Sequence, residues 1–161
     1  MIYGVKESEL ARRIGEAMLY HGITISTAES LTGGGLSACL VSVPGSSSWF
    51  KGSAVAYQNE IKRDLLHVPE ETLKLKGAVS EECVTYMADG ALALFNTDLA
   101  VAVSGLAGPE GDGSQNPVGT VWIAAASSSK SVAKKFYFPG DREHVRRSTI
   151  MAALRMIEEF I

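Results

Sequence analysis

No stretch of this 161-residue chain approaches the roughly 20 consecutive apolar residues of a membrane helix, which excludes a helical membrane span. The start, MIYGVKESELARRIGEA, lacks the apolar h-region of a secretory signal, so a cytoplasmic location is expected. Cysteine is scarce. Cys39 and Cys83 sit in apolar helical patterns and form neither CxxC nor a Cys/His cluster, which argues against a disulfide framework or zinc site and predicts buried thiols. A basic excess is also missing: 15 Lys and Arg stand against 18 Asp and Glu, a net charge of −3, so the chain has no broad electrostatic footprint for nucleic acid. Of three histidines, His21 closes a helix, His67 precedes Val68-Pro69 and His144 lies among arginines; none has metal-ligand spacing or an evident acidic partner. No GxxxxGK[ST] or GxGxxG occurs, which excludes P-loop nucleotide hydrolysis. Glu29, Asp112 and Asp141 are too dispersed to suggest a carboxylate pair.

What remains is 46% hydrophobic and 20% charged with 16 glycines, the composition of one globular domain over residues 1–161. Leu10, Ile14, Ala17 and Met18 predict a helix over 8–21, with Ser8 as N-cap and Gly22 as terminator. ITIST at 23–27 reads as a strand, SLTGGGLSACLVSV as a glycine turn entering a helix, and FKGSAVAY as a second strand. Short helices are expected over 59–76 and a Ser80-capped helix follows, then a buried strand at 98–104. The loop GLAGPEGDGSQNPVG holds five glycines and two prolines in 15 residues, and loops of this length are usually functional. VGTVWIAAAS and SVAKKFYF read as two strands joined by SSSK, before a helix capped by Asp141. Helices alternating with strands, and a final pair joined too closely for a parallel crossover, predict an α/β fold with a mixed sheet between helices.

Five segments can carry chemistry. TAESLTGGG at 27–35 turns from strand to helix, where glycine N–H groups and the helix dipole suit an anion and a hydroxyl suits a nucleophile; a plain turn would use the same glycines. GSSSWF at 45–50 reads either as a pocket rim with a stacking aromatic or as a helix stop before core aromatics. In AYQNEIK at 56–62, Asn59 as N-cap would put Lys62 at N3, where the dipole lowers its pKa toward that of a general base; an exposed lysine is the ordinary alternative. SGLAGP at 104–109 suits close backbone approach to a ligand. GDREHVRR at 140–147 sets Arg142, Arg146 and Arg147 at the unfavourable end of a helix, which suits an anion partner as well as surface pairing with Asp141 or Glu143.

Together TAESLTGG, PGSSSWFKG, AYQNEIK, GAVSEE, SGLAGPEG, PVGTVW and FPGDREHVR, in this order, resemble the CinA C-terminal domain family, whose enzymatic members are nicotinamide mononucleotide deamidases. The resemblance spans about residues 8–160 and is that of a stand-alone form, without the large N-terminal domain of fuller members. It implies a three-layer α/β/α sandwich with a mixed, mostly parallel sheet, a homodimer, and hydrolysis of the nicotinamide mononucleotide carboxamide without metal or cofactor. By motif position it implies Ser30 as nucleophile, Lys62 as its base, Tyr57 as a hydroxyl partner in proton transfer and Ser47 as a second assisting hydroxyl. Leu31 stands where a cysteine is common in the family. For the substrate phosphate the expectation is Thr32, Gly33 and Gly34 at the helix start with Arg142; for the ribose or pyridine end it is Ser104, Gly105 and Gly108. The alternatives are a non-catalytic nucleotide-binding or regulatory module, another amide substrate, and nucleic-acid binding by the arginine cluster.

Overall fold

The β-branched and alanine-rich runs pair into one sheet, described here from a computed structural model that covers residues 3–161. Its strands are β1 (Ile25–Glu29), β2 (Phe50–Val55), β3 (Leu99–Gly105), β4 (Thr120–Ser127) and β5 (Ser131–Tyr137), in the order β2-β1-β3-β4-β5. β1 is parallel to both β2 and β3, whereas β3–β4 and β4–β5 are antiparallel, so only β4 runs against the rest. Helices α1 (Val5–His21), α2 (Gly35–Val41) and α6 (Arg142–Phe160) cover one face; α3 (Asn59–Leu66), α4 (Glu70–Leu75) and α5 (Glu81–Phe95) lie on the other. The result is a three-layer α/β/α sandwich.

The period-two alternation of strand side chains divides the core. Leu99, Val101 and Val103 of β3 face α1 and α6, each contributing about 1.5–3 kcal/mol on burial. Ala100 and Ala102 face α5, as do Ala28, Ala54, Ala124 and Ala126. This small-residue floor lets α5 sit close, and Gly90 continues the fit: a Cβ there would collide with the Leu66 carbonyl of α3. Trp49 is 1% exposed and packs on Gly15, so it is a core aromatic and does not stack in a pocket.

Three boundaries differ from expectation. α1 begins at Val5 with Gly4 in the N-cap place, because nothing in Val5–Glu7 interrupts the helix; the Ser8 amide already bonds to the Gly4 carbonyl, so Ser8 is no cap. β1 begins two residues after Ile23, because Gly22 adopts a left-handed turn and the Ile23 amide closes the end of α1 on the Met18 carbonyl. In α3 the N-cap is Gln58, so Lys62 sits one position deeper than N3, its amide on the Gln58 carbonyl at 3.1 Å. Ser80 and Asp141 do cap α5 and α6, accepting from the amides of Cys83 and His144. The chain leaves β1 onto the α2 face and leaves its neighbour β2 onto the α3 face. Adjacent strands whose connections diverge open a crevice at their carboxyl ends.

Candidate active site

At that crevice the turn after β1 presents Ser30 and the start of α3 presents Lys62. The alternation of β1 sends Ser30 to the α3 side, and the Lys62 Nζ lies 3.1 Å from its Oγ. The same nitrogen donates to the Tyr57 carbonyl at 2.9 Å. Ser30 is 8% exposed and Lys62 only 1%. A lysine this deep is unusual, since ammonium groups are seldom fully buried without a carboxylate. Lys62 has none: among the described residues no acidic side chain lies within ion-pair distance of it. Burial pushes its pKa below the ordinary lysine range, opposed by the nearby Cys83, whose own thiol burial pushes up to about 11. A neutral Lys62 donates one N–H to the Tyr57 carbonyl and keeps its lone pair for the Ser30 hydroxyl proton, the arrangement an activated serine requires.

From Gly34 onward, the start of α2 does not offer an open anion site. Glu29, fully buried at the end of β1, turns its carboxylate onto the start of α2 and accepts from Thr32 Oγ1 (2.6 Å) and from the amides of Gly34 (3.0 Å), Leu36 (3.0 Å) and Ser37 (2.7 Å). Of the expected phosphate seat, the Thr32 hydroxyl and the Gly34 amide are therefore already taken by the protein's own anion, and the Gly33 amide by the Ser30 carbonyl. Gly33 and Gly34 carry φ of 59° and 95°, so their glycine identity answers to the turn. The signal for Glu29 was there to read: a helix start with no capping side chain of its own, five residues after a carboxylate.

Ser47 does not join Ser30 within one chain. It is exposed on a short 3₁₀ turn, Ser46–Ser48, just before β2, and the register pairs Phe50 with Ile25 at the start of β1. Ser47 thus lies beyond the amino ends of the parallel strands and Ser30 beyond their carboxyl ends. Tyr57 reaches the pair through its backbone carbonyl only. Its ring is 53% exposed and its hydroxyl accepts from Arg142 Nη2 at 3.2 Å, which sets the phenol apart from the expected proton transfer. Arg142 also donates to the Gly108 carbonyl at 2.8 Å, so it joins the β2 end to the long loop.

The residues expected to line the ribose or pyridine end are held by internal packing. Ser104 donates to the Ala78 carbonyl at 2.7 Å, and a Cβ on Gly105 would come within 2.7 Å of the Thr120 carbonyl oxygen and of Val121. Gly108, at φ 86°, is pressed against Val118. In the rest of the arginine cluster Arg146 donates to the carbonyls of Leu31 and Thr32, both at 3.0 Å, while the exposed Arg147 pairs with Glu7 at 3.3 Å. Arg146 was legible only as part of a basic run. Among the described residues no three His, Cys, Asp or Glu side chains converge as metal ligands, and no helix is long and apolar enough to cross a membrane.

Comparison with known proteins agrees with this architecture. A family model described as the CinA C-terminal domain matches residues 7–161. The nicotinamide-nucleotide amidohydrolase of Pseudomonas putida is 47% identical over 145 residues, covering 90% of this chain and 91% of that protein. A CinA-like protein of Fervidobacterium nodosum is 43% identical over 160 residues, which are 99% of this chain but 39% of that protein, so the chain spans about two-fifths of the length of that relative. The crystal structure of a competence/damage inducible protein from Agrobacterium tumefaciens superposes with a TM-score of 0.94 at 38% identity, covering 98% of this chain and 96% of that one.

Proposed function

This chain belongs to the CinA C-terminal domain family, and we propose that it hydrolyses the carboxamide of nicotinamide mononucleotide to nicotinate mononucleotide and ammonia, as a cytoplasmic homodimer and without a metal ion. The observation that carries the reading is the buried Lys62 amine 3.1 Å from the Ser30 hydroxyl at the carboxyl ends of the parallel strands. The 47% identity to a protein named nicotinamide-nucleotide amidohydrolase, over nearly the whole of both chains, supports the choice of substrate.

The chemistry follows from those two groups. Lys62 takes the Ser30 proton as Oγ bonds to the carboxamide carbon, giving a tetrahedral oxyanion. Collapse breaks the C–N bond, and the ammonium form of Lys62 returns the proton to the departing nitrogen, leaving an ester on Ser30. Water then adds to the ester carbon while Lys62 again accepts a proton, and Ser30 leaves with it as the free hydroxyl. Each half-reaction restores a neutral lysine, which is the form that burial favours. No step requires a Lewis acid.

The test is ammonia and nicotinate mononucleotide formation from nicotinamide mononucleotide by chelator-treated protein. Equal yields of the two products are expected. A folded protein that binds the mononucleotide without releasing ammonia would be a binding module, and the reading would be lost.

Arg142 is the charged group proposed for the 5′-phosphate. It sits at the crevice mouth and has no carboxylate within 4.0 Å among the described residues. Arg142→Ala is expected to raise KM by about 10- to 100-fold with kcat within a few-fold, the size of a lost charge-assisted hydrogen bond. Tyr57→Phe removes only the hydroxyl that Arg142 holds, so a rise in KM of a few-fold is expected. A fall in kcat of about 10²-fold would instead return the phenol to proton transfer.

A further inference from the structure

From Ser30 to Ser37 almost every backbone N–H has a partner. Ser30 donates to the Val103 carbonyl, Gly33 to Ser30, Gly35 to Thr32, and Gly34, Leu36 and Ser37 to the Glu29 carboxylate. The amides of Leu31 and Thr32 have no acceptor among the described residues. In an exposed turn the central amides would bond to water. Here Leu31 is 4% exposed and Thr32 is fully buried, and buried amides are nearly always paired. Two neighbouring free N–H groups directly after a nucleophile are what a transient oxyanion requires.

Both peptide planes are held by their carbonyls. The Ser30 carbonyl, in the peptide that carries the Leu31 N–H, accepts from Gly33 at 3.0 Å. The Leu31 carbonyl, in the peptide that carries the Thr32 N–H, accepts from Arg146 Nε at 3.0 Å, and Arg146 Nη2 takes the next carbonyl, Thr32, at 3.0 Å. In a trans peptide the N–H points opposite to the C=O. Arg146 approaches from α6, so its hold on Leu31 turns the Thr32 N–H away from α6, toward the side of the sheet where Lys62 lies. A guanidinium on the carbonyl also polarises that peptide and strengthens its N–H as a donor.

We infer that the Leu31 and Thr32 amides form the oxyanion hole of this site, with Arg146 as the positioning residue that orients the Thr32 amide. The inference deepens the amidohydrolase reading and rests on it. It also gives a reason for an arginine in the unfavourable first turns of α6: its partners are the carbonyl oxygens of the nucleophile turn.

The decisive variant puts α-hydroxyisocaproic acid in place of Leu31, which exchanges the N–H for an ester oxygen and keeps the side chain. With nicotinamide mononucleotide as substrate, kcat is expected to fall about 10²–10³-fold with KM within a few-fold. Arg146→Ala is expected to lower kcat with KM retained and to recover when guanidinium ion is added; Arg146→Lys, which cannot take two carbonyls with a planar fork, is expected to recover only part. Should Arg146→Ala fail to fold, the ester variant and Arg146→Lys still decide. An ester variant with the parent's kcat overturns the oxyanion assignment while a Ser30-dependent parent activity leaves the amidohydrolase reading in place. Loss of thermal stability without rescue, and with kcat unchanged, reduces Arg146 to a structural clamp and removes its positioning role. A parent that does not turn over overturns both readings.

Discussion

Ser30→Ala is expected to lower kcat by at least about 10³-fold, since removing an activated nucleophile leaves only binding and oxyanion stabilisation. Lys62→Met should fall by a similar factor, and the double variant should be no worse than either single, because the two act as one unit through the 3.1 Å contact. Ammonia release under single-turnover conditions measures both. The pH dependence follows from burial. The folded Lys62 pKa lies below its ordinary 10.5, so kcat should rise with pH through that depressed value and then level off. Stability must move in the same direction. Between the depressed value and 10.5 the unfolded chain binds the proton that the folded chain does not, so the lysine's contribution to stability grows as pH rises through this window and is lost as pH falls. Urea unfolding of parent and Lys62→Met over a pH series should show the parent gaining on the variant toward alkaline pH. A pH-independent difference would mean that Lys62 keeps its proton in the folded state, and the base role would go with it.

Glu29→Ala carries the largest expected effect on folding, a loss of about 3–5 kcal/mol. The carboxylate is fully buried and accepts four hydrogen bonds between 2.6 and 3.0 Å from the α2 start and Thr32. A donor left unpaired costs about 1–3 kcal/mol, and water entering the vacated space is expected to take part of the four, which keeps the total near this range. Glu29→Gln keeps the size but sets an NH₂ against donors, so an intermediate loss is expected. Thermal or urea unfolding reads the stability. In the surviving folded fraction kcat should fall as well, because the same four donors fix the turn that carries Ser30. A Glu29→Ala variant as stable as the parent would mean that water replaces the carboxylate at no cost, and the turn would owe its shape to its glycines.

Much of the architecture was legible in local pattern. The alternation of helical and β-branched segments, the SSSK turn too short for a crossover, and the caps at Ser80 and Asp141 are all properties of residues a few positions apart. Boundaries slipped where a neighbour's geometry intervened. Ile23 looks like strand, yet its amide is taken by the end of α1. Ser8 looks like a cap, yet the helix has already begun at Val5.

The site was less legible, and for one reason. A residue type can be suited to a role from its chemistry, but its partner is chosen across the fold. The glycine turn was equally suited to a substrate phosphate and to an internal carboxylate, and the packing of β1 against α2 settled it for Glu29. Ser47 and Ser30 flank the same pair of strands at opposite ends, which only the parallel register reveals.

By itself, then, the sequence determined which segments are helix, strand and turn, which faces are apolar, and that Ser30 and Lys62 sit at the ends of consecutive strand units, because these depend on near neighbours and on periodicity. The tertiary structure alone decided that Lys62 is buried against Ser30 across a sequence separation of 32, that Tyr57 turns its hydroxyl to Arg142, and that Glu29 and Arg146 both hold the turn that carries Ser30. Desolvation and hydrogen-bond pairing are set by what the folded chain brings within a few ångströms, and no local pattern carries that distance.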